Sequence, residues 1–322
     1  MQKEKDFWKN LPRPIVALSP MDGYTDSAFR RVCKSVNPNI VVVTEFTSAE
    51  GLNHRAPRIV ERFRYDQSEQ PIIAQLFGST VESFASAAQW LEDRGFSGID
   101  LNMGCPSRPV VRSEQGFALR QNHEKAFRII TAVAQSTTLP VSVKTRLGLH
   151  DANDLLEFGK GCENAGANLL TIHGRTYDQP YGVPADFAPI YALKRNVSIP
   201  VLGNGGILSI ADGVEKLNNL DGFMIGQAAI GNPWVFTPNR SATTGLGFAE
   251  HSPKTFREKI PLIEQHAALL VELRGTLYGI REMRKHLLAY VKGLPNAKDL
   301  RTRLVHVNSL ADISDILKTI HG

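Results

Sequence analysis

The sequence is poor in cysteine and has no long hydrophobic run. Three widely spaced cysteines in 322 residues predict neither a disulfide framework nor a zinc site. We therefore expect a reducing, cytoplasmic setting and no bound metal. No apolar stretch approaches the roughly 20 residues that cross a bilayer. The polar start MQKEKDFWKN lacks the apolar core of a secretory signal, so no membrane contact is predicted.

Net charge is absent from most of the chain and concentrated at its end. Residues 1–250 hold 25 basic and 25 acidic side chains, whereas residues 251–322 hold 12 basic and 7 acidic ones. The whole excess of +5 therefore lies in the last 72 residues. Such a concentration is typical of a region that faces a polyanion. An ordinary solvated helical surface explains the charge alone equally well.

Short apolar, β-branched runs alternate with helical patterns over the first three quarters of the chain. Helical patterns cover Thr80–Asp93, Glu124–Ala134, Ala152–Ala165 and Ile210–Leu217. Alternating strands and helices predict parallel pairing through βαβ crossovers. Eight such units predict a (β/α)8 TIM barrel in preference to an open doubly wound sheet. The eight predicted strands are Ile15–Leu18, Ile40–Thr44, Ile72–Phe77, Gly98–Met103, Val141–Thr145, Asn168–His173, Pro200–Gly203 and Gly222–Gly226.

The pattern changes after the eighth strand. The segment Thr237–Pro253 is rich in Thr, Ser, Gly and Pro, which is typical of a linker. We therefore predict a barrel domain over residues 1–240 and a small all-helical domain over residues 250–322. Three segments of the second domain have helical periodicity and no strand signal: Lys254–Arg274, Leu277–Lys292 and Asp312–Ile320.

Polar residues stand where the predicted strands end. A barrel carries its active site at the C-terminal ends of several strands. Any one of these residues, such as Gln75 or His173, has an ordinary explanation as a hydrogen-bonded core residue. Their recurrence at successive strand ends predicts an active site at one mouth of the barrel. They are Ser19–Gly23, Glu45, Gln75, Asn102, Lys144, Arg146, His173–Arg175, Asn204–Gly206 and Gly226–Gln227.

Two glycine clusters follow the last two predicted strands, at Gly203–Gly206 and at Gly226. Loops in these positions form the recurrent phosphate site of barrels. Glycine lets backbone N–H groups approach phosphate oxygens closely. Lys144 adds a cation inside the mouth, beside a glutamine and an asparagine, and a cation there suits the ring of a flavin. FMN, with one phosphate and one isoalloxazine ring, fits this set.

Cys105 lies on a loop shaped by Gly104 and Pro106, directly after the fourth predicted strand. Its thiol has three possible roles: a structural group, a nucleophile or a proton donor. A nucleophile requires a base partner and a lowered pKa, whereas a donor must stay protonated. The polar loop disfavours a structural role, and the other two stay open. Cys33 and Cys162 lie in helical patterns and are predicted to pack in the core.

Taken in order, these motifs resemble those of the tRNA-dihydrouridine synthases, a family of FMN-dependent barrel enzymes. The most specific match is Asn102-Met103-Gly104-Cys105-Pro106, and the resemblance runs from Ser19 to the Arg284–His286 region. It implies reduction of the C5–C6 double bond of a specific uridine in tRNA, with NADPH as the reductant of FMN. The supporting motifs are Ala74–Gly78, Val143–Gly148, Ile172–Thr176, Gly203–Ile207 and Met224–Gly226.

The resemblance also implies roles for single residues. Cys105 would be the general acid that protonates C5 of uracil, while a hydride from reduced FMN reaches C6. The helical tail resembles the family's tRNA-binding domain, and we expect a monomer that binds tRNA. The residues implied for FMN are Pro20, Met21, Gln75, Lys144, His173, Asn204, Gly206, Gly226 and, by position, Gln227. Those implied for the substrate are Asn102, Arg175, Arg281, Arg284, Lys285 and Lys292.

Two places depart from the family pattern. Gln227 stands where the family usually has an arginine near the FMN phosphate, which removes a positive charge and a bidentate donor. We therefore predict weaker retention of FMN unless another cation compensates. The loop Ser107–Arg120, which should carry Cys105 over the substrate, has unusual residues at Glu114, Gln115 and Phe117. It keeps a basic character suited to RNA through Arg108, Arg112 and Arg120.

Three alternatives remain open. The chain can be an FMN barrel that reduces a small pyrimidine, an RNA-binding family member with weak or lost reductase activity, or a phosphate-binding barrel without flavin. The basic helical tail argues against the first, because a small substrate needs no such region. Cys105 and Lys144 argue against the second. A bound flavin in the purified protein would exclude the third.

Overall fold

The computed structural model describes residues 7–238 and 253–320, and a closed parallel barrel occupies most of the first range. All strand pairs are parallel, and β1 pairs with both β2 and β9, which closes the sheet. The short β3 continues the second strand position along β4, so the barrel has eight positions and the (β/α)8 prediction is confirmed. The strands are β1 (Ile15–Leu18), β2 (Val41–Val43), β3 (Thr47–Ser48), β4 (Ile72–Phe77), β5 (Gly98–Met103), β6 (Val141–Arg146), β7 (Leu169–His173), β8 (Val201–Asn204) and β9 (Gly222–Ile225).

Helices surround the barrel and then form a separate layer at the end of the chain. Short 3-10 turns cover Gln67–Glu69, Gln227–Ala229 and Pro233–Phe236. The helices around the barrel are α1 (Phe7–Asn10), α2 (Ser27–Val36), α3 (Ala49–Asn53), α4 (Pro57–Glu61), α5 (Val81–Glu92), α6 (Arg108–Arg112), α7 (Phe117–Gln121), α8 (His123–Ser136), α9 (Leu155–Asn164), α10 (Ala188–Lys194) and α11 (Ile210–Glu215). Those at the end of the chain are α12 (Phe256–Tyr290), α13 (Ala297–Leu304) and α14 (Leu310–Lys318).

Alternation along the strands separates the outer core from the barrel interior. Ile99, Leu101 and Met103 of β5 join the large cluster beneath the helices, and all three are fully buried. Asp100 and Asn102 therefore point to the opposite face, into the barrel. A second cluster fills the barrel interior and includes Trp8, Ala17, Val41, Val43, Ile73, Leu169 and Leu202.

The N-terminal helix closes one end of this interior. Trp8 of α1 is 1% exposed and packs in the interior cluster with Ile15, which lies at the start of β1. The starts of the parallel strands are thus covered by apolar side chains. Open space for a site is left at the other end, where the strands finish.

The described end of the chain, residues 253–320, is named the helical region below. α12 is broken at Gly275 (φ 75°, ψ 163°), as the separate predicted helices on either side anticipated. The helical region packs on α2, since Ala28 and Val32 of α2 belong to its hydrophobic cluster. The predicted domain boundary and most of the predicted linker fall in residues 239–252, outside the described residues.

Predicted strand bounds agree with the structure to within one or two residues, but several short helices were missed. The segment Ser107–Arg120, interpreted above as a loop, contains α6 and all but the last residue of α7. Each has only five residues, so neither spans enough turns to show a helical period. α13 was also missed.

Candidate active site

A cavity of about 510 Å³ opens where the barrel strands end. Parallel strands of a closed barrel all finish on one rim, so residues that follow different strands meet there. The cavity is lined by most of the residues that the sequence placed at the barrel mouth, but Gly23, Glu45 and Gly174 are not in its wall. Its wall includes Pro20, Met21, Gln75, Asn102, Cys105, Lys144, His173, Arg175, Asn204, Gly206, Gly226 and Gln227.

The wall also contains side chains that the sequence analysis did not identify, among them Phe46, Tyr181 and Leu208. Tyr181 is 55% exposed, and its ring centroid lies 5.7 Å from the guanidinium carbon of Arg146 and 6.0 Å from that of Arg175. It lies in an irregular segment between β7 and α10. No periodic pattern marks such a segment, so only the tertiary structure places Tyr181 at the mouth.

Cys105 lies half-buried on the rim, on a loop held from both sides. The Oδ1 atom of Asn102 accepts hydrogen bonds from the backbone N–H groups of Gly104 (3.1 Å) and Cys105 (3.0 Å). Arg146 Nε donates to the carbonyl oxygen of Gly104 at 3.0 Å. These bonds set the direction in which the chain leaves β5, and with it the position of the thiol.

The segment that follows packs directly against Cys105. Phe117 N donates to the Cys105 carbonyl oxygen at 3.2 Å. Gly116 has φ 59°, and a Cβ built on it would lie 3.2 Å from Cys105 Cβ and 2.9 Å from a Val110 methyl. A glycine is needed here both for the left-handed backbone and for the close approach. The unusual Phe117 is buried and stacks on Tyr177, with ring centroids 4.7 Å apart.

The environment of Cys105 favours the protonated thiol. Burial raises its pKa, and this effect exceeds the opposing effects of the Ser107 backbone N–H and of Arg146 and Lys144. Among residues 7–238 and 253–320, no histidine hydrogen-bonds to the thiol. A nucleophilic cysteine needs a base or a lowered pKa. Of the two roles left open by the sequence, the geometry therefore supports the proton donor.

Lys144 and Asn204 form the floor of the cavity. Lys144 Nζ donates to Asn204 Oδ1 at 3.0 Å, and Asn204 Nδ2 donates to the Met224 carbonyl oxygen at 2.9 Å. Burial lowers the pKa of Lys144, while the carboxylate of Asp100 opposes that decrease. Burial, with the cations Lys144 and Arg146 nearby, lowers the pKa of His173 to about 2, so this imidazole is neutral at physiological pH.

The glycine loop after β8 has the backbone form expected of an anion cradle. Gly205 has φ 109° and Gly206 has φ 65°, and a Cβ on Gly205 would lie 3.2 Å from the Ala185 side chain. Arg175 Nη2 lies 3.8 Å from the position of a Cβ on Gly206. Gln227 is exposed, at the start of the 3-10 turn after β9. Arg175, which the resemblance implied for the substrate, therefore places a cation beside the glycine loop that Gln227 does not provide.

The cavity has hydrogen-bond donors and an unpaired polar atom, which are features that a site for a flavin phosphate requires. The buried Nδ1 atom of His173 has no hydrogen-bond partner in the described part of the chain. Lys144, Gln75 and Asn204 present an ammonium and two amides, and the glycine loop presents backbone N–H groups. Planar heterocycles are held by such sets of polar groups around an apolar slot. The residues present therefore fit FMN.

The predicted RNA-contacting residues of the helical region lie outside the cavity and have different surroundings. Arg281 and Lys292 are exposed. Lys285 Nζ lies 5.4 Å from the ring centroid of Tyr24, which is in the cavity wall. Arg284 is occupied within the helical region, because Nη2 donates to the Val307 carbonyl oxygen at 2.8 Å. Lys285 thus connects the helical region to the barrel mouth.

One expectation about basic residues is wrong. Arg108 and Arg112 are exposed, but Arg120 is 1% exposed and lies against the Phe158 ring. Its two terminal nitrogens donate to the Asp154 carboxylate at 2.8 and 2.6 Å. Arg120 therefore secures α7 to the loop before α9 and is not available to RNA. Cys33 and Cys162 are fully buried, as predicted.

Residues 7–238 and 253–320 contain neither a metal-binding cluster nor a membrane-spanning helix. They contain no group of three or more His, Cys, Asp or Glu side chains placed to hold a metal ion. None of their helices combines the length and apolar character needed to cross a membrane.

The chain is similar to known proteins over most of its length. A sequence model of the dihydrouridine synthase family matches residues 16–321. A probable tRNA-dihydrouridine synthase 1 of Synechocystis sp. is 33% identical over 315 residues, which cover 94% of this chain and 85% of the relative. The tRNA-dihydrouridine synthase B of Pseudomonas aeruginosa is 35% identical over 298 residues, covering 91% and 88%.

Among solved structures, a 2-naphthoyl-CoA reductase complex superimposes with a TM-score of 0.54 at 10% identity, over 71% of this chain and 51% of that one. At that identity the likeness concerns the barrel fold alone. The fold and the cavity define a barrel enzyme with its site at the strand ends. The extent of the sequence matches shows that the chain belongs to the dihydrouridine synthase family.

Proposed function

We propose that this protein reduces uridine in tRNA to dihydrouridine, with FMN as resident cofactor and NADPH as the reductant of FMN. The observation that carries the proposal is the half-buried, protonated thiol of Cys105 on the rim of a cavity that fits FMN. Relatives that match nearly the whole chain are named tRNA-dihydrouridine synthases, which supports the substrate. One chain holds all the residues involved, so a monomer suffices, and we propose that it acts in the cytoplasm.

In this proposal one set of cavity residues binds FMN, and Cys105 on the rim acts on the substrate. When bound, FMN supplies the hydride. Lys144 and His173 hold its ring with Gln75, while Pro20 and Met21 pack beside it. Asn204, Gly206 and Gly226 surround the ribityl and phosphate groups, and Arg175, from its position beside Gly206, provides the cation that Gln227 lacks.

Cys105 completes the reduction by moving one proton. As C6 of the uracil takes the hydride, Cys105 Sγ gives its proton to C5, and the C5–C6 double bond becomes a single bond. The thiol can do this because its raised pKa keeps it protonated at neutral pH. Asn102, which holds the backbone of Cys105, also lies in the cavity wall beside the substrate.

The target uridine must leave its stack to enter the cavity. The exposed cations Arg281 and Lys292, with Lys285 at the mouth, bind phosphates and hold the RNA in register without reading its sequence. The exposed Arg108 and Arg112 on α6 add contacts on the cysteine side. A small pyrimidine would need none of these cations, which favours RNA as the substrate.

The test compares wild type, Cys105→Ala and Ser107→Ala. Each is incubated with unmodified tRNA and NADPH, or with NADH, and dihydrouridine is mapped along the tRNA. We expect product with wild type and Ser107→Ala, and a loss of about 100-fold or more in Cys105→Ala, since general acids contribute about 10²–10⁴-fold. Ser107 is a matched control because its exposed side chain makes no cap bond to α6.

Equal rates in wild type and Cys105→Ala would remove the general-acid role. A wild-type protein that carries flavin but forms no dihydrouridine in any tRNA would contradict the proposed reaction. A colourless protein that gains no flavin on addition of FMN would contradict the cofactor assignment.

A further inference from the structure

Asp100 is a buried carboxylate that the proposed reaction does not use. Its side chain is 1% exposed and lies two residues before Asn102 on β5, on the same face of the strand. Each of its oxygens has one partner. Ser142 Oγ donates to Oδ1 at 2.6 Å, and Gln75 Nε2 donates to Oδ2 at 2.7 Å.

A chain of hydrogen bonds leads from Asp100 to the catalytic loop. Gln75 Oε1 accepts from Asn102 Nδ2 at 3.2 Å. Asn102 Oδ1 then accepts from the backbone N–H of Cys105 at 3.0 Å. Each bond constrains the next, because a side-chain amide has an acceptor on one side and donors on the other.

The orientation of the two side-chain amides in this series of hydrogen bonds is set at its buried end, by Asp100. A carboxylate only accepts, so Gln75 must turn Nε2 towards Asp100 and Oε1 towards Asn102. Protonation of Asp100 on Oδ1 would leave the orientation of Gln75 unchanged, because the Ser142 hydroxyl can accept a hydrogen bond from a protonated Oδ1. If Gln75 were reversed, its Nε2 would face the Nδ2 of Asn102, and two donors would oppose each other.

We infer that Asp100 is a positioning residue for the thiol of Cys105, acting through Gln75 and Asn102. The inference rests on the proposed role of Cys105 as proton donor. Without an acceptor at residue 100, Gln75 is free to reverse, and the carbonyl of Asn102 is no longer held against the Cys105 N–H. The loop then loosens and the thiol becomes more accessible.

Two substitutions separate orientation from charge. In Asp100→Asn the side chain can keep its Oδ1 towards Gln75 and turn its Nδ2 to the Ser142 hydroxyl. It thereby loses only the negative charge. In Asp100→Leu the shape is similar, but no acceptor is left for Gln75. If the leucine variant does not fold, Asp100→Ala removes the acceptor with less steric change and has the same expected result.

The experiment measures alkylation of Cys105 by iodoacetamide in the purified holoenzyme, with the modified residue identified by mass spectrometry. We expect alkylation about fivefold faster in Asp100→Leu, the effect of about one hydrogen bond, and a rate within about twofold of wild type in Asp100→Asn. Cys33 and Cys162 are 0% exposed and report global opening in the same sample. With tRNA, kcat of Asp100→Leu should fall about fivefold or more at unchanged KM.

Two results would overturn the inference. One is an unchanged rate in Asp100→Leu, or in Asp100→Ala where labelling of Cys33 and Cys162 shows that the leucine variant has lost its fold. The other is an equal increase in Asp100→Asn, which would show that charge and not orientation matters. The alkylation assay needs neither tRNA nor NADPH, so its result is separate from success or failure of the proposed reaction.

Discussion

The barrel mouth and the helical region differ in how the polar groups assigned to the two proposed tasks are arranged. At the mouth, buried side chains bond to each other, as Gln75 does to Asp100 and Asn102. In the helical region, Arg281 and Lys292 stand exposed. Directional bonds between buried groups hold atoms in place, whereas exposed charge acts over about 8 Å at physiological ionic strength. The mouth is thus suited to positioning a reacting group, and the proposed function assigns the capture of a polyanion to the exposed cations of the helical region.

The largest effect should arise where the two regions meet, on acidification. His286 stacks on Phe29 of α2, with centroids 5.6 Å apart, and neither ring nitrogen has a partner within the described ranges. Burial, then His266 and Lys285, lower the pKa of His286 well below 6.5. Burial lowers the pKa of His266 to about 3. Both imidazoles are therefore neutral in the folded protein.

The unfolded chain takes up these protons first, at about pH 6.5, so the folded state loses stability as pH falls below that value. We expect a loss of about 2 kcal/mol per histidine in the free energy of unfolding between pH 7 and pH 5. His286→Leu should lose about 2 kcal/mol less than wild type, measured by urea unfolding at both pH values. His54→Leu, at an exposed residue, is the control. An equal acid loss in wild type and His286→Leu would contradict this account.

A smaller effect is expected from the exposed cations. Arg281→Ala with Lys292→Ala should weaken tRNA binding about tenfold at low salt and reduce the slope of log K against log salt by about 2. The value of kcat at saturating tRNA should not change, since neither side chain lies in the cavity wall. The matched control removes Lys160 and Arg195, two exposed cations on the barrel side of the molecule. If kcat fell while the salt dependence of tRNA binding did not change, the proposed difference in task between the two regions would be wrong.

The smallest effect should come from Gln227→Arg, which restores the cation usual in the family. Gln227 is exposed, and an exposed ion pair contributes about 0.2–1 kcal/mol. Because Arg175 already lies beside Gly206, we expect the Kd for FMN to improve only about two- to fivefold. Equilibrium dialysis of apoprotein against FMN measures it, with Gln227→Met as the uncharged control. An improvement of about 100-fold would show that Arg175 does not compensate.

Two examples show which structural features a local sequence pattern can predict and which it cannot. The alternation of Ile99, Leu101 and Met103 with Asp100 and Asn102 is visible in the sequence and assigns the two faces of β5 correctly. The basic character of Arg120 is equally visible, yet its partner is 34 residues away at Asp154. A residue type shows which bonds are possible, but not which partner the fold supplies.

The sequence by itself determined most of the residues that meet at the mouth, because the parallel strands of a closed barrel all end on one rim. It also determined that the excess charge lies on a helical surface beyond the barrel. Only the tertiary structure decided that burial raises the pKa of Cys105, that Arg175 lies beside the glycine loop and that Gln75 donates a hydrogen bond to Asp100 below Cys105. Burial and hydrogen-bond direction depend on groups that are distant in the chain, and only folding brings those groups together.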